Sequence, residues 1–387
     1  MFLTIIIFIL VLSVLVFAHE LGHFWTARRF GVKAEEFGFG FPPRAIGWYH
    51  NRGGRWRRVV GNRSIESLET SEEEGVAPAA KATVYSLNWL PIGGFVKIKG
   101  ENGEGKDEKD SFGAQKIWRR VIILSAGVIM NIVLAWFLFS VGYIIGLPQS
   151  TDTLGRGAKV SAQEVMIAEV LPDSVAASAG LQAGDVVAQV LDQAILSESG
   201  LQEAIGARAG QETELVIRRN GEEQKIKVVP VSKDGARATI GVAIFSTGLV
   251  RYPFFNALWE GAKTTGWMLK QIVVAFVGLF GQIFQGHQVG DQFAGPVGIA
   301  NFTGQAARLG FTYLLQFMAL LSLNLAIINI LPLPALDGGR IIFLLIEKIK
   351  GRPVRKEIEA LIHNLGFLLL IALVIFITYK DIAKLFK

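Results

Sequence analysis

Four apolar runs constrain this chain more than any other feature. Residues 2–18 are almost free of polar side chains, and residues 121–147, 311–331 and 363–379 follow the same pattern. Each approaches or exceeds the roughly 20 apolar residues that a helix needs to cross a bilayer. Composition leans the same way, with 51% apolar and 19% charged residues. The chain therefore reads as a polytopic α-helical membrane protein with about four transmembrane helices. It has no cysteine, which excludes disulfides, thiolate metal sites and a cysteine nucleophile.

Charge sets the expected orientation. A secretory signal peptide would carry positive charge ahead of its apolar run and end at a small-residue cleavage site. Here no Lys or Arg precedes residues 2–18, while Arg28 and Arg29 follow them. The first run thus reads as a retained span with its N-terminus outside and Arg28 inside. Residues 28–120 hold 17 Lys/Arg against 12 Asp/Glu, whereas residues 150–250 hold 9 against 13. The net charge of +6 is modest, and the basic loops flank apolar segments, so they fit a cytoplasmic membrane face rather than nucleic acid.

The segments then read as follows: a first span at 1–27, an inside loop at 28–120 and a second span at 121–147. An outside domain at 158–243 precedes an amphipathic interfacial region at 251–310. The third-span region covers 311–346, an inside loop 347–362 and a fourth span 363–380. The run 271–284 is ambiguous. If it crossed, the third span would reverse and the basic stretch 347–360 would lie outside, so parity favours a helix on the outer surface. Both termini are then outside. The acidic stretches 66–76 and 101–110 read as solvated loops.

At the end of the first run stands His19-Glu20-Leu21-Gly22-His23. On a helix, positions i and i+4 share a face, so both imidazoles can reach one ion. Glu20 beside them can accept a proton from water, which zinc acidifies towards a pKa of about 7. Two histidines and a glutamate at membrane depth are costly without a partner or a task. A catalytic zinc usually takes three protein ligands. His50, His287 and His363 show no ligand spacing and read as surface or helix-end residues. Asp337 is the better candidate, as the only acid between Asp291 and Glu347. It is flanked by Pro332, Pro334, Gly338 and Gly339, which break helix, and broken helix at membrane depth needs a cavity or a protein interior. His19 follows about 26 Å of helical rise, towards the inner side, where an inward-running third span also delivers Asp337.

These motifs, with the Gly295-Pro296-Val297-Gly298-Ile299 string, resemble bacterial site-2 proteases, and most of all the regulator-of-sigma-E protease group. The resemblance covers essentially the whole chain. It implies His19, His23 and Asp337 as zinc ligands, Glu20 as catalytic acid–base, and Asn324 and Asn329 as groups that hold substrate near the metal. It implies an intramembrane zinc metalloprotease of the bacterial inner membrane. Its substrates would be single-span membrane proteins such as an anti-sigma factor or remnant signal peptides. The family's usual His after the Leu-Asp-Gly-Gly string is Arg340 here.

Two further modules are expected. Ala34–Phe41, Thr83–Trp89 and Gly94–Ile98 are strand-like, punctuated by Gly and Pro, and the resemblance makes them a membrane-dipping β-hairpin on the cytoplasmic side. An exposed strand edge could pair with an unwound substrate. Residues 158–243 show short alternating runs and an Asn220-Gly221 hairpin signal. They resemble a circularly permuted PDZ domain of α+β type on the outer side, with Ala179–Val187 as its most recognisable stretch. Such a domain either captures a substrate C-terminus by strand addition or acts as a size filter. Two other function classes stay open: a non-catalytic membrane PDZ adaptor or holdase, and a transporter with broken helices around Asp337. The intact zinc motif argues against the first, and a single broken-helix segment against the second.

Overall fold

The computed structural model describes residues 2–61, 78–79, 82–101, 108–151, 154–219, 221–232, 237–286 and 294–385. The acidic stretch 66–76, most of 101–110, Asn220 and His287 lie outside the described residues. Five described helices are long and apolar enough to cross a membrane. They are α1 (Phe2–Arg29), α2 (Ile117–Ile145), α5 (Phe254–Phe284), α7 (Phe311–Ile330) and α9 (Lys356–Leu385). The ambiguous run 271–284 thus belongs to a continuous 31-residue helix, whose second half exposes Val273, Val274, Val277 and Phe280. The chain divides into two compact units, Met1–Trp136 with Thr265–Gly304 and Phe317–Lys387, and Phe137–Thr264 with Gln305–Gln316.

In the first unit, β1 (Ala34–His50), β2 (Trp56–Val59) and β3 (Val84–Ile98) form one antiparallel sheet in the order β2-β1-β3. Both long strands fold back on themselves. Phe37 pairs with Val96 on one side and with Tyr85 on the other, and Trp48 also pairs with Tyr85. The segment Gly94–Ile98 is consequently a sheet edge. Its turn is tied to α1: the Ser13 hydroxyl donates to the Pro91 carbonyl at 2.9 Å and accepts from the Gly93 N–H at 3.3 Å. Ser13 lies six residues, about 9 Å of rise, before His19, so the turn sits deep along the first helix. Phe41, Leu87, Trp89, Leu90 and Ile92 are exposed around it. At the other end, Ala27, Val32, Ile98, Phe112, Ile123, Leu124 and Leu344 make a buried cluster that joins helices, sheet and loop.

The third apolar region is broken where its prolines and glycines predict. Helix α7 ends at Ile330, and α8 (Asp337–Lys350) begins with the acid itself. Helix α6 (Pro296–Leu309) starts within the Gly-Pro-Val-Gly-Ile string, and Asp381 of α9 accepts the Gly298 N–H at 2.8 Å, which caps its start. The stretch expected as the loop 347–362 is mostly helical, since α8 runs to Lys350 and α9 starts at Lys356.

The second unit is built on a sheet ordered β4-β10-β5-β6-β8-β9, with β7 added to β6. Its strands are β4 (Leu147–Ser150), β5 (Lys159–Val170), β6 (Val186–Val190), β7 (Gln193–Ala194), β8 (Thr213–Arg219), β9 (Glu222–Val228) and β10 (Val242–Arg251). Two short helices, α3 (Val175–Ser178) and α4 (Glu198–Gly206), are capped by Ser174 and Ser197 hydroxyls. Alternating residues Val165, Ile167, Val187, Leu215 and Ile217 meet Leu201 and Ile205 in one buried core. Strands β8 and β9 pair in register from Thr213↔Val228 to Arg219↔Glu222. Strand β10 carries the sheet to Arg251, beyond the expected boundary at 243.

Candidate metal centre

The first unit brings His19, His23 and Asp337 together. His19 Nε2 lies 3.1 Å from Asp337 Oδ2, His23 Nε2 lies 3.3 Å from the same oxygen, and the two Nε2 atoms are 3.1 Å apart. His19 and His23 face the same way because they are one helical turn apart on α1. Asp337 arrives from 314 residues further on because Gly338 and Gly339 let the first turn of α8 press onto the preceding chain. A Cβ on Gly338 would lie 2.2 Å from the Leu331 carbonyl oxygen, and one on Gly339 2.3 Å from that of Leu333.

The protons on this triangle can be assigned. His23 Nδ1 lies 2.8 Å from the Ile123 carbonyl, an acceptor, so Nδ1 carries the hydrogen and Nε2 turns a lone pair inward. Asn131, fully buried on α2, faces His19 Nδ1 at 3.4 Å. With Nδ2 facing the imidazole, its Oδ1 is buried without a partner. Turning the amide over, so that Oδ1 takes the place of Nδ2, gives that oxygen the His19 Nδ1–H and leaves His19 Nε2 with an inward lone pair as well. Asp337 Oδ2 is itself buried without a hydrogen-bond partner. Three lone pairs in contact repel one another unless a cation lies between them. Bonds of roughly 2.0–2.1 Å to a tetrahedral zinc place ligand atoms about 3.3 Å apart, close to the observed edges. The donor set of two imidazoles and one carboxylate, with no thiolate, therefore fits zinc.

The surroundings make room for this set. A Cβ on Gly127 of α2 would lie 2.4 Å from His23 Nε2 and 2.8 Å from His19 Nε2. Two cavities meet at the donors. One, of about 470 Å³, is lined by His19, Glu20, His23, Asp337, Arg340 and the edge residues Gly94–Lys99. The other, of about 320 Å³, is lined by Val16, His19, Glu20, Asn131, Leu325, Asn329, Ala335 and Asp337. Glu20 lines both, and its carboxylate takes a hydrogen bond from the Val96 backbone. It thus stands beside the donors with one oxygen positioned by the sheet edge.

Of the six residues singled out from sequence, the structure places His19, Glu20, His23, Asp337 and Asn329 around these cavities. Asn324 is turned elsewhere: its amide donates to the Leu320 carbonyl of its own helix at 2.9 Å. Five residues of helix separate the two asparagines, which puts them on different faces. His50 lines neither cavity and packs its ring against Trp56. His363 is not a ligand but accepts the Ala335 N–H at 2.9 Å. Sequence reading missed Asn131, Gly127 and Glu101, the last of which pairs with Arg340 in the cavity wall. Only Asn131 carried a usable signal, as a lone amide inside an apolar span.

Comparison with known proteins agrees with this chemistry. Zinc metalloprotease RasP of Oceanobacillus iheyensis is 30% identical, over 99% of this chain and 99% of its own length. Regulator of sigma-E protease RseP of Escherichia coli is 27% identical, over 98% of each. A solved PDZ domain of an SdrC-like protein from Listeria monocytogenes is 19% identical over 22% of this chain and 92% of its own, with a TM-score of 0.21. The model of Peptidase family M50 matches residues 7–60 and 76–373, so His19, His23 and Asp337 all fall inside it, and this chain belongs to that family.

Proposed function

We propose that this family M50 peptidase is an intramembrane zinc metalloprotease that cuts the membrane-spanning segment of single-span membrane proteins. The observation that carries the reading is the meeting of His19 Nε2, His23 Nε2 and the unpartnered Asp337 Oδ2, with Glu20 on the same cavities. His19, His23 and Asp337 would hold the ion. Its relatives are named zinc metalloproteases and sigma-factor regulator proteases.

When bound, zinc supplies a Lewis acid that polarises the scissile carbonyl and acidifies water at the site. Glu20 takes the proton of the attacking water and returns it to the leaving nitrogen. A helical substrate hides its peptide groups, so the scissile stretch must be extended first. The edge Gly94–Ile98 lines the cavity, where such a stretch would lie alongside it as an added strand. Asn329 reaches the second cavity and would hold the chain there. Asn324 shares that role only if its amide leaves the Leu320 carbonyl.

The protein would lie in the bacterial inner membrane with four spans, α1, α2, α7 and α9, and both termini outside the cytoplasm. Helix α5 would rest against the outer surface, which keeps the basic residues Lys348–Lys356 inside. The hairpin would dip into the membrane from the cytoplasmic side. The sheet domain in the second unit would stand outside as a PDZ-like module, either capturing substrate C-termini or excluding bulky outer domains. Anti-sigma factors and remnant signal peptides, already trimmed outside, are the substrates of this scheme.

The test uses purified protein and a reconstituted single-span substrate. Glu20→Gln is expected to retain zinc and to lose cleavage by 10²–10⁴-fold, the usual worth of a general acid–base. Cleavage at the parental rate by Glu20→Gln would refute the assignment.

A further inference from the structure

The turn that delivers Asp337 is held from another helix. Residues 331–336 connect α7 to α8 without regular structure, and within them Ala335 adopts a positive φ of 71°. That conformation is costly for a residue with a Cβ and persists only where its surroundings impose it. Two contacts from α9 impose it here. His363 Nδ1 accepts the Ala335 N–H at 2.9 Å, the donor and acceptor lying 28 residues apart in sequence. One turn further along α9, Gly366 meets Pro334 so closely that a Cβ would lie 2.3 Å from the proline Cβ.

The direction of the hydrogen bond fixes the imidazole. The Ala335 nitrogen can only donate, so His363 Nδ1 must present a lone pair and the ring hydrogen sits on Nε2. His363 is thereby unsuited to ligate through Nδ1, and it is two residues removed in the network from the carboxylate that points at the imidazoles of α1. Ala335 lines both cavities at the donor set, which puts its backbone beside the ion's position. The start of α8 has no side-chain cap, and its close glycine contacts are with residues 330–334 of the same connection, so the depth of the carboxylate follows the conformation of that turn.

We propose that His363 is a positioning residue: by accepting the Ala335 N–H from α9, it sets the strained turn that aims the Asp337 carboxylate at His19 and His23. The role rests on the reading of Asp337 as a metal ligand. It makes α9, which supplies no ligand, part of the metal site. Outer partners that orient a ligand typically contribute 10–100-fold to metal affinity.

The experiment measures zinc affinity by chelator competition on the full-length detergent-solubilised protein, with His363→Leu, His363→Asn and Asp337→Ala. Leucine keeps bulk but lacks an acceptor, whereas the Asn oxygen stands close to where Nδ1 was. His363→Leu is expected to weaken zinc roughly 10–100-fold, and His363→Asn to recover most of that loss. Parental affinity in His363→Leu, or equal losses in the two variants, would overturn the role. A second readout needs no variant. Hydrogen exchange of the unmodified, zinc-free protein is expected to show the Ala335 amide protected, and free exchange there would also overturn it. Asp337→Ala separates the two claims: if it retains zinc, the ligand assignment fails, whereas if it loses zinc while His363→Leu does not, only the positioning role fails.

Discussion

Replacing Gly127 by alanine tests how closely α2 is fitted to the donor set. The added Cβ would lie 2.4 Å from His23 Nε2, 2.6 Å from His19 Cε1 and 2.8 Å from His19 Nε2, where ordinary contact starts at 3.4 Å. The two donor nitrogens must therefore retreat by about 1.0 and about 0.6 Å, against the roughly 0.2 Å tolerance of a metal–ligand distance. The imidazoles can yield by rotating, so the backbone need not move, but rotation takes their lone pairs off the ion. Zinc affinity should fall at least 10–100-fold, the range seen when ligand orientation alone is lost. Helix propensity acts in the opposite sense, since Ala is favoured over Gly by about 1 kcal/mol within a helix. The metal-free protein should thus keep its helical content while losing zinc and cleavage. Gly278→Ala on α5 is the control, because nothing lies within 4 Å of its added Cβ. Chelator competition and metal content provide the assay. Parental zinc affinity in Gly127→Ala would refute the packing argument.

Other consequences follow from the same structure. Asn131→Leu should weaken zinc roughly 10-fold by freeing His19 Nδ1, and Asn131→Asp, which keeps an acceptor oxygen, should weaken it less. Because the chain has no cysteine, single introduced thiols report sidedness cleanly: Arg352→Cys should react from the cytoplasmic side and Gln285→Cys from the outside. Labelling of Gln285→Cys from the cytoplasm would instead make α5 a fifth span. In the sheet domain, Asp185 is 1% exposed and accepts two bonds from Arg219, at 2.6 and 2.7 Å. Arg219→Ala should cost about 3 kcal/mol by leaving that charge unpaired, read as faster hydrogen exchange across Lys159–Arg251 in the full chain.

The parts of this protein that were legible in its sequence are those written in local pattern. Apolar runs of spanning length announce α1, α2, α7 and α9, and alternation announces the strands that carry Val165, Val187 and Leu215. His19 and His23 declare a shared face by spacing alone, and Asp337 stands out as a charge within apolar sequence. What stayed hidden depends on long-range packing. The fold-back of β1 and β3, which puts Tyr85 between Phe37 and Trp48, has no signature in strands that merely look apolar. Gly127 resembles any small residue in a membrane helix until the imidazoles are seen against it. Glu101 read as part of a solvated acidic loop, yet it pairs with Arg340 beside the cavity. Asn324 and Asn329 look equivalent in sequence, and the helical twist alone separates them.

One cation held by side chains from α1 and α8 would make the site, and zinc stoichiometry measures that directly. The parent and Glu20→Gln should each carry one zinc per chain, while His19→Ala, His23→Ala and Asp337→Ala should each carry none. Full zinc occupancy in Asp337→Ala would contradict it.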